Sequence, residues 1–130
     1  MQNLDFSSLE DALKTFEEVI QKKNISALER DGVIQRFEYT FELCWKSIRK
    51  ILLLEGRAEV SSSPKPLLRE AHQENLIEDL DTWFAFIEAR NRTSHTYKKK
   101  TAEQVYQDIQ FFGVEARKLL EKLNERLKKN

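Results

Sequence analysis

The sequence predicts an all-α chain folded as an antiparallel up-and-down bundle of about five helices, and three observations carry that expectation. Only three glycines and two prolines interrupt 130 residues. Leu, Glu, Lys and Ala, which favour helix, are plentiful. Apolar residues recur at spacings of three and four, and no segment shows the alternation of a half-buried strand. A chain of this length is expected to form one domain, residues 1–130, with a core large enough to need neither disulfides nor a structural metal.

The elements follow in order. Ser7-Ser8-Leu9-Glu10 fits a capping box, and Leu9, Leu13, Phe16 and Ile20 then share one face of a helix expected over about residues 7 to 23. After Asn24-Ile25-Ser26 comes the longest periodic run, in which Ile34, Phe37, Phe41, Cys44, Ile48 and Ile51 step by three or four while Trp45 and Leu52 widen the stripe. Gly56 is the expected stop, so this helix covers about 27 to 55 and is roughly 40 Å long, the spine of the domain.

The polar link 57–63 breaks the pattern. Ser63 and Pro64 then supply an N-cap and a first-turn proline for a short helix, about 64 to 75. Asp79 or Asp81 can cap the next, whose Leu80, Trp83, Phe84 and Ile87 are expected to face the core and lead into Arg90. Thr101-Ala102-Glu103-Gln104 reads as another capping box. From there Ala102, Val105, Ile109, Phe112, Ala116, Leu119, Leu123 and Leu127 predict a single long last helix, with Gly113 a weak point inside it costing up to ~1 kcal/mol against Ala. The two long stripes carry more apolar surface than one such core absorbs, which points to a homodimer.

Composition excludes more than it selects. Lys plus Arg and Asp plus Glu both total 22, so no global field draws the chain to nucleic acid or to an anionic membrane, and a polyanion site must be a local concentration of charge. The single cysteine, Cys44, lies on an apolar stripe and reads as a core residue rather than a nucleophile. With no signal-like N-terminus and no apolar run near the ~18 residues a membrane helix needs, the expectation is a soluble, cytoplasmic protein with no membrane contact.

The chemistry is concentrated in Arg90-Asn91-Arg92-Thr93-Ser94-His95-Thr96-Tyr97. From Arg90 to Lys100 there are five cations (Arg90, Arg92, Lys98, Lys99, Lys100), a histidine and a phenol, and no carboxylate to ligate a metal. An imidazole with an ordinary pKa near ~6.5 can take the proton of a ribose 2'-hydroxyl or protonate a leaving 5'-oxygen. Guanidinium groups at Arg90 and Arg92 suit a phosphate and the charge that develops on it. On an unbroken helix, however, residues five apart point ~140° from one another. Either Thr93-Ser94-His95-Thr96, poor in helix formers, lets the helix fray and His95 turn back, or the site is composed across a two-fold axis. The plain alternatives are a solvated turn at Lys98-Lys99-Lys100 and a Tyr97 ring packed on the bundle. His72 has no polar constellation beside it.

This stretch resembles the R-x4-H-x-Y motif of HEPN domains, small helical proteins encoded beside minimal nucleotidyltransferases. The run from Arg30 to Lys46 resembles that family's long-helix signature, and Ser63-Pro64-Lys65 with Leu76-Ile77-Glu78-Asp79 resembles its middle section. The likeness spans about residues 5 to 112 and is to the nucleotidyltransferase substrate-binding protein type. It implies a bundle of about five helices, a homodimer and a complex with a separate nucleotidyltransferase chain. In that family the bundle is similar to the substrate-binding domain of aminoglycoside nucleotidyltransferases, while related members act as RNase toxins, with the motif's arginine and histidine at the dimer cleft, and the partner is the antitoxin that attaches AMP to the motif tyrosine. Carried over, Arg90 binds phosphate and stabilises the transition state, His95 is the acid-base, Tyr97 accepts adenylyl groups, and Asn91 orients the phosphate or the imidazole. Arg92 and Lys98 join Asn91 as candidate contacts to substrate phosphates, with RNA or a nucleotide as ligand and no cofactor.

Two functions compete: a toxin-like endoribonuclease restrained by its partner, and a non-catalytic subunit that presents a substrate or nucleotide to that partner. The chain has no Gly-Ser plus paired-aspartate signature of a nucleotidyltransferase itself. On the long helix, Glu38 and Glu42 are like charges one turn apart, and Glu42 with Lys46 forms a favourable pair; either Glu38 is answered by Arg36 or an arginine of a partner chain, or this is simply a solvated face.

Overall fold

The computed structural model describes residues 4–57 and 59–130. Ala58, in the polar link, lies outside the described residues. Six α-helices occur among them: α1 (Ser7–Ile20), α2 (Ala27–Leu54), α3 (Pro64–Gln73), α4 (Leu80–Arg92), α5 (Lys99–Asp108) and α6 (Phe112–Lys128), with a 3-10 turn at Thr93–His95 between α4 and α5. None of these helices is long and apolar enough to cross a membrane.

α2 is the spine, packed against α1, α3, α4, α5 and α6. Its start is fixed by a complete capping box: the Glu29 amide donates to the Ser26 hydroxyl at 3.0 Å, and the Ser26 amide donates to the Glu29 carboxylate at 3.0 Å. The boxes expected at Ser7 and Thr101 do not form. Asp5 accepts the Ser7 amide at 3.0 Å, which draws Ser7 into the first turn of α1, and α5 begins at Lys99, which puts Thr101 inside the helix. α2 ends as expected at Gly56, whose φ of 86° lets its amide and that of Arg57 return to the carbonyls of Leu53 and Leu52. Asn75, at φ 61°, closes α3 in the same way.

The single long last helix is the main correction. The expected apolar positions from Ala102 to Leu123 are buried, but the chain turns at residues 109–111, so α5 and α6 are separate helices. The turn serves Phe112. Its ring lies 4.9 Å from that of Phe37, 5.2 Å from Phe86 and 5.3 Å from Phe16, all edge to face, with Phe41 and Trp83 just beyond. Such contacts each add about 0.5–1.5 kcal/mol beyond their area. The neighbouring Phe111 is 76% exposed, so the two adjacent aromatics are split between core and solvent. In α4 the buried ring beside Trp83 is Phe86 rather than the expected Phe84. Phe84 is only partly covered, with Lys65 and Arg69 over its face at 5.0 and 5.3 Å.

Cations lock the helix ends together. Arg117 on α6 bridges Glu10 and Glu17 of α1, and Arg126 near the end of α6 binds Glu55 and the Glu74 carbonyl. Phe112 beside Phe37 and Arg126 beside Glu55 mean that α6 runs in the direction of α2, while Tyr39 beside Thr15 fits an antiparallel α1–α2 pair. Leu9, earlier on α1, shares a hollow with Leu43 and Ser47, later on α2, so α1 runs opposite to α2 and α6, as in an up-and-down bundle. Cys44 is fully buried on α2, and burial pushes its thiol pKa up, so it behaves as a core residue.

Candidate functional site

Asp79 starts α4 by accepting the Thr82 amide at 3.3 Å. Trp83, Phe86 and Ala89 then anchor one face in the core, and Arg90, next to Ala89, is held half-buried at its edge. Thr93 ends the helix. Its buried hydroxyl donates to the Arg90 carbonyl at 2.7 Å, and Arg90 Nη1 donates back to that oxygen at 3.3 Å. The Thr96 hydroxyl donates to the Thr93 carbonyl at 3.1 Å. A threonine hydroxyl returning to a carbonyl three residues earlier competes with the helix ladder, and here the chain tightens into the 3-10 turn Thr93–His95.

Arg90 lines an open groove of about 630 Å³ together with Gln35, Glu38, Tyr39, Glu42 and Leu43 of α2. Its Nε is buried and has no hydrogen-bond partner. The Tyr39 hydroxyl is tied to Thr15 at 2.6 Å. Trp45 Nε1 donates to Glu42 at 3.1 Å, and Lys46 Nζ lies 3.5 Å from the same carboxylate, the expected pair. Arg36 does not answer Glu38. It donates instead to the Thr15 carbonyl at 3.1 Å, and the arginine sharing a groove with Glu38 is Arg90 of the same chain. Gln35, Tyr39 and Leu43 were missed from sequence. Their signal was a second stripe at 35, 38, 39, 42 and 43, the partly exposed face of a helix whose other face is core.

His95 is exposed on the turn, its ring edge-to-face with that of Tyr97 at 6.1 Å between centroids. Tyr97 is 78% exposed, and Lys98 Nζ lies 5.9 Å from its ring centroid. Asn91, Lys98, Lys99 and Lys100 are exposed, with Lys99 4.0 Å from Glu103. Arg92 is engaged elsewhere: Nη2 lies 2.8 Å from an Asp108 oxygen on α5, and Asp108 is also bound by Gln104. Within one chain the structure therefore gathers Arg90 with the α2 groove and His95 with Tyr97 and Lys98. No hydrogen bond joins Arg90 to His95 among the described residues. His72 is exposed near the end of α3.

Known proteins carry the same architecture. A solved Haemophilus influenzae structure, described as revealing the fold of a substrate binding domain of a nucleotidyltransferase, superposes with a TM-score of 0.81 at 30% identity, over 92% of this chain and 99% of that one. A Thermus thermophilus structure gives 0.76 at 34% identity, over 92% and 98%. In sequence, the Haemophilus influenzae protein named probable ribonuclease HepT is 38% identical over 98 residues, 73% of this chain and 67% of the relative. The family described as nucleotidyltransferase substrate binding protein like matches residues 4–125. Fold and sequence agree, and the chain belongs to the nucleotidyltransferase substrate-binding protein family, of HEPN type.

Proposed function

We propose that the chain is a dimeric, metal-independent endoribonuclease that works through Arg90 and His95, partners a separate nucleotidyltransferase and is silenced by adenylylation of Tyr97. The observation that carries this reading is the Arg90 groove: a half-buried guanidinium, with an unpartnered Nε, at the end of a helix whose next turn exposes an imidazole and a phenol. The 38% identity to a protein named as a probable ribonuclease supports it.

In the reaction, the His95 imidazole accepts the proton of a ribose 2'-hydroxyl as that oxygen attacks phosphorus. Arg90 holds the phosphoryl oxygens as charge grows on them, and Asn91 and Lys98 steady the flanking backbone. The bond to the 5'-oxygen breaks, that oxygen takes a proton from water or from the second chain's imidazolium, and a 2',3'-cyclic phosphate remains. Because no hydrogen bond joins Arg90 to His95 within one chain among the described residues, the reading sets His95 of one chain against the groove of its mate. Arg92 contributes only if it leaves Asp108.

In the silencing step the Tyr97 phenolic oxygen attacks the α-phosphate of ATP bound to the partner enzyme, AMP is joined to the ring oxygen and pyrophosphate leaves. The exposure of Tyr97 suits a substrate of another enzyme. The added bulk and negative charge would sit where RNA phosphates must pass.

The test is cleavage of RNA by purified protein in EDTA, with cyclic-phosphate ends, in a species that sediments as a dimer. His95→Ala should lower the rate by about 10²–10⁴ with the fold intact. Unchanged cleavage by His95→Ala would sink the proposal.

A second reading has its own observation. Glu38 and Glu42 line the same groove, and paired carboxylates suit a ligand bearing amines as well as phosphates. On that reading the chain is a non-catalytic subunit presenting a substrate or nucleotide to the nucleotidyltransferase, as the family description suggests. Calorimetric binding at the Arg90 groove with RNA left intact would favour it.

A further inference from the structure

Farther along α2 lies a second hollow, of about 430 Å³, lined by Trp45, Lys46, Arg49, Lys50 and Ser62. Three of its five lining residues are cations and none is a carboxylate; Lys46 is paired with Glu42 at 3.5 Å, which leaves Arg49 and Lys50 to meet a polyanion. The Trp45 indole is partly exposed, held by its Nε1 bond to Glu42, with Lys46 Nζ 5.9 Å from the ring centroid. Arg49 Nε is buried with no partner. Lys50 is exposed, and Asp5, the acid whose field it reaches, is occupied by Ser7.

Between this hollow and the Arg90 groove lies a third, mostly apolar one whose lining includes Leu9, Leu53, Leu54 and the acidic Asp5. Lys50 also lines this third hollow with Leu43, and Leu43 lines the Arg90 groove. Leu43 and Lys50 are separated by roughly 10 Å along the helix at 1.5 Å per residue.

We infer that the hollow around Trp45, Arg49 and Lys50 is a single-stranded RNA track, binding nucleotides that flank the one held at Arg90. The chemistry is that of strand binding without sequence preference: a cationic channel follows the phosphates while a base stacks on an aromatic face. A free phosphate would need the cations and not the indole. A duplex would offer no free base face to stack on it. The inference rests on the ribonuclease reading, to which it adds the class of substrate: unpaired RNA extending beyond the cleaved bond.

The test uses the full chain without its partner, in a His95→Ala background so that RNA stays intact, with a fluorescein-labelled mixed-sequence single-stranded RNA oligonucleotide. Adding Arg49→Glu and Lys50→Glu should weaken binding at least tenfold. The milder pair Arg49→Gln and Lys50→Gln should flatten the plot of log affinity against log salt by about 1.4, as expected for two lost contacts to a single strand. Helical circular dichroism and melting temperature verify the fold of each. RNA should also quench tryptophan fluorescence, and Trp45→Phe should remove the quenching, since Trp83 is only 1% exposed. With His95 restored, the Gln pair should raise KM for a long RNA and leave cleavage of a dinucleotide unchanged.

Equal affinity and equal salt slope in wild-type and variant chains would overturn the track while leaving the ribonuclease reading intact. Loss of dinucleotide cleavage along with long-RNA cleavage would overturn it too, because the residues would then act on the Arg90 site itself. RNA binding that depends on Arg49 and Lys50 in a wild-type chain that cleaves nothing would uphold the track and defeat the ribonuclease. If the wild-type chain binds no RNA, both fail.

Discussion

The Thr93 hydroxyl donates to the Arg90 carbonyl at 2.7 Å, and the Arg90 guanidinium donates to that same hydroxyl at 3.3 Å. One side chain therefore ends α4 and steadies the arginine whose groove carries the functional reading. Thr93→Val keeps the shape and removes both bonds from a buried position. It should cost about 1 kcal/mol, read as a lowered urea midpoint. Under the ribonuclease reading it should also lower cleavage more than His72→Ala, a surface change, does. Equal activity in the two variants would separate the turn from the chemistry.

Phe112 concentrates the aromatic packing of α1, α2 and α4 on one ring. Phe112→Ala should destabilise by about 3–5 kcal/mol, and Phe112→Leu by distinctly less. Chemical denaturation of both variants measures this. Similar losses in the two would mean that ring geometry contributes as much as volume.

Two glycines inside helices should respond in opposite directions to alanine. A Cβ on Gly32 would meet nothing within 4 Å, so Gly32→Ala should stabilise by up to about 1 kcal/mol through helix propensity. On Gly113 it would lie 3.3 Å from two ring carbons of Phe16, a fully buried ring pinned by Phe112. Gly113→Ala should therefore lower the melting temperature. A rise would show that Phe16 has room to move.

The Arg126 hydrogen bond to Glu55 holds that carboxyl below the usual glutamate pKa. Since the folded-state pKa is the lower one, the stabilisation is present above the unfolded value of about 4.3 and is lost as pH falls through the folded value. Wild-type stability should thus decline on the acid side. Glu55→Gln should be less stable at neutral pH and should decline less on acidification, as melting curves at the two pH values would report.

Periodicity reached most of the helices and most of the core. The run from Ile34 to Ile51 is a buried face, and Gly56 stops it, because a repeat of three and four with a glycine at its end has few other solutions. It could not find the break before Phe112, since the buried spacing continues through residues 109 to 112 as if the helix were whole. It also placed Phe84 inside, where Phe86 lies. Both outcomes depend on which ring fits between α1, α2 and α4, and that is known only once those helices are packed.

For the site, the cationic stretch from Arg90 to Lys100 and its lack of carboxylates were determined by sequence alone, as was the poor helix-forming character of Thr93 to Thr96. Only the tertiary structure decided that Arg90 shares a groove with Glu38, Tyr39 and Glu42, that Arg92 is engaged by Asp108, and that His95 sides with Tyr97. Residue types and local spacing set what each helix can bury. Which polar side chains meet across helices depends on contacts between residues far apart in the chain, and those exist only after the apolar faces have docked.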